Sequence, residues 1–130
     1  MNINLEKAMI LLIVAVFIVT SINSLNALGN PITREEAIEI SKNSGLVKEG
    51  MATTQMASID PTHYNSSMVE QLRGGHNWEL YERVPVGDSV WKVVWWFSYW
   101  IGGSSGYTVI VIVDAETGIM IHETKGIILV

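Results

Sequence analysis

Apolar and polar positions alternate most regularly toward the C-terminus, and the alternation predicts strands. In Trp91–Trp100 one face would carry Trp91, Val93, Trp95, Phe97 and Tyr99, and the other Lys92, Val94, Trp96, Ser98 and Trp100. Glycine and serine from Gly102 to Gly106 predict a hairpin loop. Tyr107–Val113 returns as a second strand, with Tyr107, Val109, Val111 and Val113 on one face. Asp114–Gly118 turns the chain, with Gly118 supplying a positive φ, and Ile119–Thr124 makes the third strand. Upstream, Trp78–Val84 also alternates and reads as a half-exposed strand, broken by Pro85 and Gly87-Asp88.

The helical period appears once with both ends marked. Thr33 is an N-cap, Glu36 completes a capping box, and Ile32 precedes the cap as a staple onto Ala37. Glu35 and Glu36 suit the positive end of the helix dipole. Ala37, Ile38, Ile40 and Ser41 form the less polar face, and Gly45 fits a left-handed stop with Leu46 folding back behind it. From Leu46 to Gly75 the pattern is weaker. Met51–Ile59 suits a strand or a short helix, Asp60-Pro61 marks a turn, and Ser67–Arg73 makes two helical turns closed by Gly74-Gly75. A helix followed by an antiparallel sheet of three to four strands is an α+β architecture, with the helix packed on one sheet face.

Residues 1–29 change the picture of where this domain works. Lys7 precedes an apolar run, Ala8–Val19, and polar residues follow it. About twelve apolar residues match a signal-peptide core and fall short of the roughly twenty that span a bilayer. Ala27-Leu28-Gly29 offers a small-x-small cleavage site, so the expectation is a cleaved signal peptide, with an uncleaved anchor as the alternative. Either way residues 30–130, a single domain, are expected outside the cytoplasm, secreted or at the cell surface. Membrane contact is expected only through the N-terminal segment if it stays uncleaved. The chain has no cysteine, so burial rather than disulfides must hold the domain. Net charge is −5, which argues against a nucleic-acid partner.

Little of the residue chemistry suggests catalysis. His63, His76 and His122 lack metal-site spacing, so neither metal nor cofactor is expected. Asp114-Ala-Glu116 starts like a calcium loop but lacks the later acidic ligand, and a hairpin explains it better. Serine and threonine nucleophiles have no matching base or oxyanion arrangement, so no enzyme is expected. Asn65-Ser66-Ser67 is a glycosylation sequon in an accessible loop, of consequence only if the organism glycosylates.

The order of motifs resembles a PepSY domain. Ile32-Thr-Arg-Glu-Glu-Ala-Ile-Glu-Ile-Ser41 is similar to the family's helix start, with Thr33 and Glu36 at its motif positions. Trp91-Lys-Val93 is similar to its tryptophan strand, and Val113-Asp-Ala-Glu-Thr-Gly-Ile119 to its closing turn, marked by Asp114 and Gly118. Residues 46–90 are longer and less patterned than a minimal member, and Trp95–Trp100 is unusually aromatic. The resemblance implies a small non-enzymatic module that modulates or inhibits an extracytoplasmic peptidase, here in trans, with no catalytic residues to carry over.

The aromatic run is the sharpest functional lead. Trp91, Val93, Trp95 and Phe97 are assigned to the core. With a helix on one face only, Trp96, Trp100, Ile110 and Ile112 would form an uncovered apolar patch on the other. Such a patch suits a protein partner. The alternatives are a glycan or apolar small molecule stacked on the tryptophans, and a homodimer paired through its sheets.

Overall fold

A computed structural model describes residues 31–99 and 105–128. The expected targeting segment, residues 1–29, and Trp100 lie outside the described residues. Three helices and a four-stranded antiparallel sheet follow one another as α1 (Arg34–Ser41), α2 (Gly45–Thr53), β1 (Met56–Tyr64), α3 (Ser66–Arg73), a 3-10 turn at Trp78–Leu80, β2 (Val90–Ser98), β3 (Gly106–Asp114) and β4 (Met120–Ile128). The sheet is a meander in the order β1-β2-β3-β4. The fold is therefore α+β, and no described helix is long and apolar enough to cross a membrane.

α1 begins as its sequence dictates. Thr33 Oγ1 accepts from the Glu36 N–H, and the Glu36 carboxylate accepts from the Thr33 N–H, at 3.2 Å each. Ile32 and Ala37 are buried in the same cluster. Gly45 does not take the left-handed stop. The side chain of Ser44 instead accepts from the Val47 N–H, which caps a second helix with Gly45 as its first residue. The described glycines with positive φ are Gly87 and Gly118. α2 then brings Gly50 so close to the Phe97 ring that a Cβ there would overlap it.

Together α1 and α2 cover one sheet face. Val93, Trp95 and Phe97 from β2 pack with Tyr107, Val109, Val111 and Val113 from β3 against Ala37 and Val47, with Trp91 at the margin. Full burial of each large side chain contributes about 2–3 kcal/mol before entropy is counted. Two indoles pin α1 to this face. Trp91 Nε1–H donates to the Ile32 carbonyl at 3.0 Å, and Trp95 Nε1–H donates to Ser41 Oγ at 2.9 Å.

Two sequence expectations fail between residues 56 and 84. Asp60-Pro61 is not a turn: β1 runs straight through it, paired with Val94 and Val93. A proline is tolerated there because β1 is an edge strand, where its missing N–H can face away from the ladder. Trp78–Val84 is not a strand. Leu80, Tyr81 and Val84 are buried together, a helical rather than a two-residue spacing. Successive tight turns run through Leu80 N–H to Asn77, Tyr81 N–H to Trp78 and Val84 N–H to Tyr81. The Arg73 guanidinium, at the end of α3, collects the carbonyls of Tyr81 (2.8 Å), Glu82 (3.3 Å) and Val84. α3 itself covers Ser66–Arg73 and is capped by Asn65 and Gly74.

α3 and this turn segment also cover part of the second sheet face. Val69, Leu80, Tyr81 and Val84 pack on Val90 and Ile112, with Ile110 and Ile121 alongside. The expectation of a bare second face is thus corrected at Ile112, which is fully buried. It was missed because α3 reaches the sheet through contacts that no local pattern encodes.

Candidate functional site

Among the described residues, nothing covers the second face at the end away from α3. Register places Ser58, Trp96, Thr108 and Gly126 in one cross-strand row, and cross-strand partners share a face. Trp96 is 44% exposed in the middle of this row. Its neighbours are small: Thr108 lies so close over Gly126 that a Cβ there would stand 3.0 Å from Thr108 Oγ1. The next row, Asp60, Val94, Ile110 and Thr124, leads toward α3, and Ile110 is half-buried against the second cluster. Of the four patch residues expected from sequence, Trp96 is exposed, Ile110 is at the margin, Ile112 is in the core and Trp100 lies outside the described residues.

The sheet edges differ in chemistry. β4 carries exposed Glu123 and Lys125, the kind of charged edge that discourages strand pairing. β1 opens with Met56, Ala57 and Ser58, all exposed and uncharged, next to Trp96. In the sequence Met51–Ile59 is open between a strand and a short helix, and the turn expected at Asp60-Pro61 hides that the strand continues to Tyr64. The signal available was the strand-compatible, uncharged run that precedes Asp60-Pro61.

The motif residues serve the architecture, and all but Asp114, which pairs with Val90 on the second face, gather on the helix-covered side. Ile32 N–H donates to the Ala115 carbonyl at 2.8 Å while the Ile32 carbonyl accepts from Trp91, so the three motif segments meet at one residue. Thr33 and Glu36 cap α1, and Val93 is buried beneath it. Asp114 Oδ1 accepts from the N–H groups of Glu116 (2.7 Å) and Thr117 (3.0 Å), an Asx turn, and Gly118 has φ 73°. Asn65 is exposed but its amide oxygen is used as the α3 cap, at 2.9 Å from the Met68 nitrogen.

The histidines are dispersed. His63 packs on the Trp91 ring with centroids 5.1 Å apart, His76 is exposed, and His122 joins Arg83, Met120, Ile121 and Glu123 around an open groove of about 340 Å³. Among the described residues no group of three or more His, Cys, Asp or Glu is placed to hold a metal ion. Among the described residues two titrations are displaced. Burial, then the neighbouring Tyr64, pushes the Tyr81 phenol up to about 12. The Asp88 carboxyl is pushed up to about 6, first by its hydrogen bond with Asp114, then by burial and by the charges of Asp114 and Glu116.

What the open end can do chemically is stack a flat or apolar group on Trp96 and offer backbone hydrogen bonds along β1. The chain matches no family model, no curated protein and no solved structure.

Proposed function

We propose that this chain is an exported, non-enzymatic binding module of the PepSY kind, which takes an extended segment of a protein partner against Trp96 and the β1 edge. The carrying observation is the exposed indole of Trp96 beside the uncharged start of the edge strand. An edge strand supplies main-chain hydrogen bonds to an added strand, and an adjacent aromatic supplies apolar contact area. The partner class proposed is an extracytoplasmic peptidase, inhibited or modulated in trans. The ordered resemblance of residues 32–41, 91–93 and 113–119 to PepSY motifs supports that class, and the signal-like pattern of residues 1–29 supports the compartment.

The test is titration of the chain with a purified secreted thermolysin-type metallopeptidase, reading tryptophan fluorescence and peptidase activity. Binding that Trp96→Ala weakens by about tenfold or more fits a central aromatic anchor. Equal binding by Trp96→Ala, or none by the parent chain, removes this reading.

A second reading is favoured by the small neighbours of Trp96. The exposed indole of Trp96, flanked by Ser58 and Thr108, is a platform on which a sugar ring could stack. A fluorescence change with a glycan panel and none with the peptidase would select it. Sedimentation as a dimer at micromolar concentration, abolished by Trp96→Ala, would instead select pairing of two sheets.

A further inference from the structure

Asp114 is 1% exposed, and its two carboxyl oxygens have unequal surroundings. Oδ1 has its two backbone donors, whereas Oδ2 is buried and, among the described residues, meets no N–H or hydroxyl donor. The backbone of this residue is fully provided for: its N–H donates to Ile119 at 2.8 Å and its carbonyl accepts from Gly118 at 2.8 Å. A buried carboxyl oxygen with no donor is costly. Asp88 directly precedes Ser89, whose carbonyl accepts from Ala115 N–H, and Val90, which pairs with Asp114, so its carboxyl is brought to that of Asp114. It ends the turn in which Gly87 has φ 91° and Asp88 N–H donates to Pro85 at 3.1 Å. Two carboxylates only accept, so neither can satisfy the other. One proton placed between them makes a donor and an acceptor and removes the repulsion.

We infer that Asp88 and Asp114 form a shared-proton carboxyl pair, which latches the Pro85–Ser89 turn onto the β3–β4 hairpin in mildly acidic solution and loosens when the proton leaves. The same junction carries two further links. Ala115 N–H donates to the Ser89 carbonyl at 2.9 Å, and Ser89 Oγ donates to Glu116 at 2.8 Å. The charged groups facing Asp88 are Asp114 and Glu116, both acidic. The ion pairs found among the described residues, Arg34–Glu35, Lys42–Glu39 and Arg73–Glu70, involve none of these three. The Asp88 carboxyl is raised in the fold above its ordinary 3.8 to about 6. A raised acid favours the fold while protonated, so its contribution is complete below the ordinary value and is lost as pH rises through about 6. The hairpin that the latch holds is the one that receives Ile32, so the junction of turn, hairpin and α1 tightens or relaxes with pH.

The test is thermal unfolding of the full chain between about pH 4.5 and about pH 7.5, a window that brackets the titration. The parent Tm should fall by several degrees across that window. Asp88→Asn offers the Asp114 carboxyl an amide donor at every pH, so it should flatten the fall and hold the Tm at about pH 7.5 at or above the parent's. Asp88→Ala should be flat and low. An undiminished fall in Asp88→Asn would overturn the inference. So would a calcium-dependent rise in the parent Tm at about pH 7.5 that is absent in Asp88→Asn, since a cation would then bridge the pair. If a variant does not fold, carboxyl carbon NMR of the parent decides: a step near 6 at Asp88 supports the pair, and an ordinary step near 4 refutes it.

Discussion

The indole N–H of Trp95 donates to Ser41 Oγ at 2.9 Å, and both residues are buried, at 1% and 0% exposure. Ser41 Oγ in turn donates to the Ile38 carbonyl at 2.7 Å. The hydroxyl therefore joins the last turn of α1 to the centre of the sheet.

Ser41→Ala should leave the Trp95 N–H buried without an acceptor. The expected loss is about 1–3 kcal/mol, the range for an unsatisfied buried donor. Urea unfolding measures it. The double change Ser41→Ala with Trp95→Phe should cost less than the sum of the single changes, because it removes donor and acceptor together.

Arg73→Lys should destabilise the Trp78–Val84 turn although the charge is kept. A guanidinium presents a rigid fork to the carbonyls of Tyr81, Glu82 and Val84, and an ammonium cannot reproduce it. A loss of about 2 kcal/mol is expected, near that of charge-assisted hydrogen bonds. Amide exchange should quicken at Tyr81 and Val84 before it does at Val109 or Val111.

The Tyr81 phenol stands at about 12 because burial and Tyr64 disfavour its ionised form. The fold thus gains from the protonated phenol at all pH values below the ordinary 10.0 and loses that gain between there and about 12. Stability should fall as pH rises above about 10, and Tyr81→Phe should reduce that alkaline slope. Unfolding followed by circular dichroism, set against the tyrosinate absorbance step, checks it.

Legibility in the sequence followed the range of the interactions concerned. The Thr33–Glu36 capping box, the Gly118 turn and the assignment of Trp91, Val93, Trp95 and Phe97 to the helix-covered face all rest on neighbours in sequence or on strand alternation, and all are present. Where distant groups decide, local pattern misled. Arg73 draws Tyr81–Val84 into a turn, the edge position admits Pro61 into a strand, and α3 buries Ile112. The open Trp96 face was legible as an aromatic surplus. Its extent was not, because the sequence does not say where α3 ends its cover. The Asp88–Asp114 contact gave no signal, since it joins two turns that only the sheet brings together.

Ile32 has both of its backbone groups engaged by late parts of the chain, its N–H by Ala115 and its carbonyl by Trp91. On a ribosome the partners of α1 therefore emerge long after α1 itself. The helix can form locally through its capping box and meets β1 and β2 first, but its docking is incomplete until β3 and the following turn exist. Folding must then close a loop spanning most of the domain, a non-local step that slows it. A nascent chain of this kind can hold α1 by only part of its contacts at first, and the last of them closes when residue 115 reaches residue 32.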